Sequence, residues 1–190
     1  MDEARLKDWF AKQSLMEADY GVSDYRLKVW DAEQKYVDLM GRGFTLNLGA
    51  GDSPIKADVK VDPLATLDVV CVGEYLPFRK VFDTIIVFSV LDHVVDDFTV
   101  LMSALKVLRK GGRILIMNGV LGWVDIVQRL RTILLHRRIL KDPYHFRHYW
   151  FDFSIKRLFE ETGLELVDYR VERPAGGSSV CFATLEDTDY

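Results

Sequence analysis

The chain has 190 residues, 49% hydrophobic and 28% charged, with a formal net charge of −4. That size fits one domain with a sizeable core, the composition excludes a disordered chain, and the acidic balance argues against a nucleic-acid partner, which calls for a basic footprint. No uninterrupted apolar stretch approaches the roughly 20 residues of a membrane span, and the charged start Met1-Asp2-Glu3-Ala4-Arg5 lacks the apolar core of a secretory signal, so the expected location is cytoplasmic.

Residues 1–19 read as a polar helix with an apolar stripe at Leu6, Trp9, Phe10 and Leu15, broken by Tyr20-Gly21-Val22-Ser23-Asp24. A second helix is predicted from about Tyr25 to Met40, where Leu27, Trp30, Tyr36, Val37 and Met40 fall near helical spacing. Gly41-Arg42-Gly43 ends it. Residues 1–43 thus form the N-terminal helices of a single domain spanning 1–190.

Short apolar runs of strand length follow, at Phe44–Leu48, Val59–Val61, Leu67–Val72 and Phe82–Phe88. The last is apolar on both faces, as in the middle of a parallel sheet covered by helices on both sides. Phe98–Leu108 reads as a helix with Leu101, Leu105 and Leu108 on one face, stopped by Gly111-Gly112. Arg113–Met117 is a fifth strand. Residues 119–150 interrupt the alternation with an amphipathic pattern from Trp123 to Leu140, read as a lid or substrate insert. Ser154 is the expected cap of a further helix that runs to about Thr162 and stops at Gly163. Leu164–Val171 and Ser179–Leu185, joined by Pro174-Ala175-Gly176-Gly177, are expected to pair antiparallel. The whole reads as a three-layer α/β/α fold. Cys71 and Cys181 sit in apolar strand-like runs and are read as buried free thiols, with neither a disulfide framework nor a metal-ligand spacing.

The chemistry concentrates after the strands. Leu46-Asn47-Leu48-Gly49-Ala50-Gly51-Asp52-Ser53 places glycines where an open α/β sheet binds ligands, and glycine lets the backbone approach a ligand closely. Asp62 ends the next strand, where a carboxylate can accept from both hydroxyls of a ribose. Its distance from the glycines is short for a dinucleotide site, whose acid lies about 20 residues on. Two further segments are Gly73-Glu74-Tyr75-Leu76-Pro77-Phe78, leading into Phe82-Asp83 and Ser89-Val90-Leu91-Asp92-His93-Val94, and Leu108-Arg109-Lys110-Gly111-Gly112 before the fifth strand.

In this order the four segments resemble the small-molecule class I S-adenosylmethionine (SAM)-dependent methyltransferases, of the type 11-like domain. The resemblance is good over residues 44–117 and loose over 145–185. It implies a seven-stranded, mostly parallel sheet of order 3-2-1-4-5-7-6, with the last-numbered strand antiparallel. It implies that Gly49, Ala50 and Gly51 pack against the methionine part of SAM and that Asp62 holds the ribose. It further implies that Pro63 and Leu64 cover one adenine face, that Gly73 and Glu74 meet the adenine edge, and that Ser89 and Val90 lie beside the sulfonium. Two positions depart from the pattern. Asn47 stands where many relatives begin the glycine loop with an acid, and Val72 where many carry an aspartate that reads the adenine amino group, a role Glu74 can take over.

A methyl transferase must mainly align its acceptor with the S–CH3 bond. Where the acceptor carries a proton it also needs a base, and histidine titrates in the useful range. The candidates are His93 at the mouth, with Asp92 orienting it, and His145, with His148 ranked below, in Asp142-Pro143-Tyr144-His145-Phe146-Arg147-His148. Arg129, Arg131, Arg137, Arg138, Lys141 and Arg147 add a basic cluster suited to an anionic or sugar-like acceptor; an acidic membrane surface is the less favoured reading. The expected reaction is methyl transfer from SAM to a small-molecule acceptor. Asn47 and Val72 keep an alternative open, a SAM- or nucleoside-binding subunit without turnover.

Overall fold

The computed structural model describes residues 24–63, 67–121, 151–174 and 179–188. The N-terminal helix expected over 1–19, Leu64, the amphipathic stretch 123–140, His145 and His148 lie outside them.

Helix α1 (Asp24–Met40) leads into β1 (Thr45–Leu48), β2 (Val59–Val61) and β3 (Phe82–Phe88). Then come α2 (Asp97–Val107), β4 (Leu108–Gly119), α3 (Asp152–Glu161), β5 (Glu165–Glu172) and β6 (Val180–Glu186). Six strands among the described residues form one sheet in the order β2-β1-β3-β4-β6-β5. The first four run parallel, and β6 is antiparallel to both β4 and β5.

The expected third strand, 67–72, is reduced to a single parallel bridge between Val61 and Val69. A side chain does part of a strand's work there: the Lys60 amide donates to the Asp68 carboxylate at 2.8 Å rather than to a backbone carbonyl. With that bridge counted third, the order is the anticipated 3-2-1-4-5-7-6.

Alternation along β3 splits the core in two, because successive side chains point to opposite faces. Ile85 and Val87 face a cluster with Leu46, Leu48, Leu101, Ala104 and Phe159, covered by α2 and α3. Ile86 and Phe88 face Tyr36, Val37, Ile55, Met117 and Phe182, covered by α1. Two polar side chains inside this core, Thr84 and Tyr36, are paired. The Thr84 hydroxyl donates to the Arg42 carbonyl and accepts from the Arg42 amide, at 2.6 and 2.9 Å. The Tyr36 hydroxyl reaches Thr184 at 2.8 Å and Asp168 at 3.0 Å.

Two predicted boundaries move. Helix α2 ends at Val107, because Leu108 is already extended and pairs with Phe82. Gly111-Gly112 therefore does not stop the helix. It forms a bulge inside β4, with Gly112 buried and Gly111, exposed and at φ +70°, donating to the Asp187 carbonyl. Ser154 is not the N-cap of α3. Phe151 occupies that position, and the Ser154 hydroxyl, three residues on, accepts from the Phe151 amide at 3.0 Å. Gly163, at φ +75°, does end that helix. Cys181 is buried, as expected, whereas Cys71 is only half-buried.

Candidate functional site

The carboxyl ends of β1, β2 and β3 carry the predicted glycine loop, acid and serine. The loop leaves β1 through Gly49, at φ +66°, a left-handed turn that favours glycine. A Cβ on Gly49 would stand 2.6 Å from Val90 Cγ2, so Val90 backs the turn directly. The loop is then tied to β2. The Ala50 amide donates to the Val61 carbonyl at 3.0 Å, and the Gly51 amide, at φ +48°, to Asp62 Oδ2 at 3.0 Å. The sequence pattern gives Asp62 to a ribose alone; in the fold one of its oxygens holds the loop in shape, by a charge-assisted hydrogen bond.

Asn47 precedes the loop and is almost fully buried, as are Ala50 and Val90. Pro63 follows Asp62 and is half-buried. Ser89 ends β3 as an exposed residue at φ +53°, the one non-glycine residue with positive φ among the described residues. Its amide donates to the Met117 carbonyl at 2.8 Å, which holds the turn in this strained conformation.

Gly73 lies between Leu48 at the end of β1 and Val100 of α2; a Cβ there would meet each at 3.3 Å. Glu74 beside it is 8% exposed, and neither carboxylate oxygen has a hydrogen-bond partner among the described residues. A buried carboxylate in that condition is costly unless something donates to it. Asp92 is buried, and its Oδ1 lies 3.8 Å from Nε2 of the partly exposed His93. The two are brought together at ion-pair rather than hydrogen-bond distance.

Two residues at this end of the sheet were missed. Asn118 of β4 is fully buried, with its amide oxygen unpaired among the described residues. It follows Met117, which receives the Ser89 amide. Its sequence signal was an amide closing an otherwise apolar strand. Glu33 of α1 is 4% exposed, and burial pushes its carboxyl up to about 8, against a smaller opposing pull from Arg26. Its signal was a charge at a core-facing position between Val29 and Tyr36. Arg26, two turns earlier, bonds Asp52 of the glycine loop at 3.0 Å.

Among the described residues no group of three or more potential ligands is gathered for a metal ion, and no helix is long and apolar enough to cross a membrane.

Residues 54–116, from just after the glycine loop into β4, match the family model described as a methyltransferase domain. No curated protein sequence matches the chain. Among solved structures, 1,6-didemethyltoxoflavin-N1-methyltransferase of Burkholderia thailandensis, with bound 1,6-didemethyltoxoflavin and S-adenosylhomocysteine (SAH), superposes with a TM-score of 0.67 at 18% identity. That match covers 98% of this chain and 88% of the other. A SAM-dependent methyltransferase of Thermotoga maritima gives 0.64 at 14% identity, covering 96% and 98%. Magnesium protoporphyrin IX methyltransferase of Synechocystis PCC 6803, with bound SAH, gives 0.63 at 9% identity, covering 98% and 100%. At these identities the likeness is one of fold.

Proposed function

We propose that this chain, which has the fold of the class I SAM-dependent methyltransferases and a methyltransferase-domain segment at residues 54–116, transfers a methyl group from SAM to a small-molecule acceptor and releases SAH. The observation that carries the reading is the pairing of a locked glycine turn with Glu74, a buried carboxylate that lacks a donor among the described residues. The amino group on the adenine edge is a donor of the right kind, and Val72, two residues earlier, offers no competing acceptor. The residues present therefore fit SAM. Gly49, Ala50 and Gly51 form the wall against its methionine part, Asp62 takes the ribose hydroxyls, and Pro63 lies against the adenine.

When bound, SAM supplies a methyl group made electrophilic by its sulfonium. The chain's own task is to present the acceptor in line and exclude water, and orientation of this kind can lower a barrier by about 7–11 kcal/mol. Ser89 and Val90 line the sulfonium side. His93 takes the acceptor's proton, with Oδ1 of Asp92 3.8 Å from its Nε2. His145 is the second candidate base. The basic residues at 129–147 favour an anionic or sugar-like acceptor.

Titration calorimetry with SAH tests the binding step, with micromolar affinity the expected result. Absence of heat at millimolar SAH would remove the proposal. Label transfer from methyl-tritiated SAM to a panel of anionic and sugar-like acceptors then tests turnover. Tight SAH binding with no transfer to any acceptor would favour the binding subunit that Asn47 and Val72 suggest.

A further inference from the structure

Helix α1 runs antiparallel to β1 and β4. Its last residue, Met40, accepts from Arg113 at the start of the core run of β4, and Arg26 in its first turn reaches Asp52 beyond the end of β1. Its core-facing stripe is Glu33, Tyr36 and Val37, all buried, flanked by the partly buried Val29 and Met40. Tyr36 is fixed opposite Thr184, which pairs with Leu115. Three residues of helix rise about 4.5 Å, and a strand advances about 3.3 Å per residue. Along the sheet, Glu33 therefore stands one to two residues beyond the level of Leu115, toward that of the Met117–Phe88 pair at the carboxyl end of β3. Helical Cα–Cβ bonds tilt toward the N-terminus, which here is the cleft end. The Cα–Cβ bond of Glu33 is thus tilted toward the end of the helix where Arg26 meets Asp52.

A carboxylate in a core stripe is a poor packing choice. Leucine or methionine would fill the same volume without desolvating a charge. Arg26 is half-exposed and already pairs with Asp52, so it offsets little of that cost. Asn47, on the same face of the sheet, is uncharged. Among the described residues Arg26 is the one cation that acts on the position, and the amino-acid end of SAM carries another.

We propose that Glu33 is the acceptor for the ammonium group of the cofactor's amino-acid end. The assignment rests on the methyltransferase reading and adds a specificity residue that lies outside the glycine loop, on the helix above it. It makes α1 part of the binding site as well as a cover for the sheet.

The test is Glu33→Gln in the full-length protein, with calorimetric titration of SAH and of 5′-methylthioadenosine, which shares the adenosine and sulfur but lacks the amino-acid end. Melting curves verify that the variant is folded. The expected result is a loss of SAH affinity of about 10- to 100-fold, the size of one hydrogen bond to a charged group, with methylthioadenosine changed less than about twofold. Unchanged SAH affinity would overturn the proposal. So would an equal loss for both ligands, which would make Glu33 a shaper of the whole crevice. Failure of the wild-type protein to bind either ligand would instead remove the methyltransferase reading, and this inference with it.

Discussion

Replacing Glu33 by glutamine should change how stability depends on pH. In the folded chain burial holds this carboxyl up to about 8, against an ordinary value of 4.5. Below about pH 4.5 it is protonated in both states and contributes no penalty. As pH rises, the unfolded chain releases the proton while the folded chain must retain it, so stability is lost steadily until the folded group itself titrates near 8. At about 1.4 kcal/mol for each decade of separation, the full penalty is on the order of 3–5 kcal/mol. For a chain of this length that corresponds to roughly 6–20 °C in melting temperature. Glutamine keeps the shape and removes the titration. Melting temperatures of wild type and Glu33→Gln should therefore nearly coincide at pH 5, diverge up to pH 8, and run parallel above it, with the variant the more stable. Comparing the two proteins isolates Glu33. Asp58, Asp83, Asp96, Asp152 and Glu186 are all held below their ordinary values by hydrogen bonds or arginines, so the stability they confer is lost only at lower pH. Parallel curves from pH 5 to 9 would refute the argument that Glu33 is desolvated.

Three further outcomes are expected. Gly49→Ala forces a side chain into the left-handed region, at about 1–2 kcal/mol, and drives it into Val90; SAH affinity should fall, and adding Val90→Ala should restore part of it, as measured by calorimetry. Asp62→Ala removes the acceptor for the Gly51 amide, so urea unfolding should show a loss of about 1–3 kcal/mol even without ligand, a loss that a purely ribose-binding residue would not produce. His93→Gln should lower kcat by about 10²–10⁴-fold while leaving SAH affinity within twofold; full turnover would shift the base to His145.

The glycine loop, Asp62, Ser89 and the order of the elements were legible because each depends on a few consecutive residues. Gly49 is where a strand must turn sharply, and the uninterrupted apolar run that closes Phe82–Phe88 announces a strand buried on both faces. The helix boundary at Val107 was misread because Gly111-Gly112 looks like a stop. Only the pairing of Leu108 with Phe82 shows that the chain has already become a strand. The Gly51–Asp62 bond, the unpaired carboxylate of Glu74 and the burial of Glu33 were hidden for the same reason. A residue's local neighbours determine which secondary structure it joins. Its solvation and hydrogen-bond partners are decided by what the rest of the chain lays over it. Glu33 reads as an ordinary helical glutamate until α1 is set across β3 and β4, and that crossing is what makes its charge expensive.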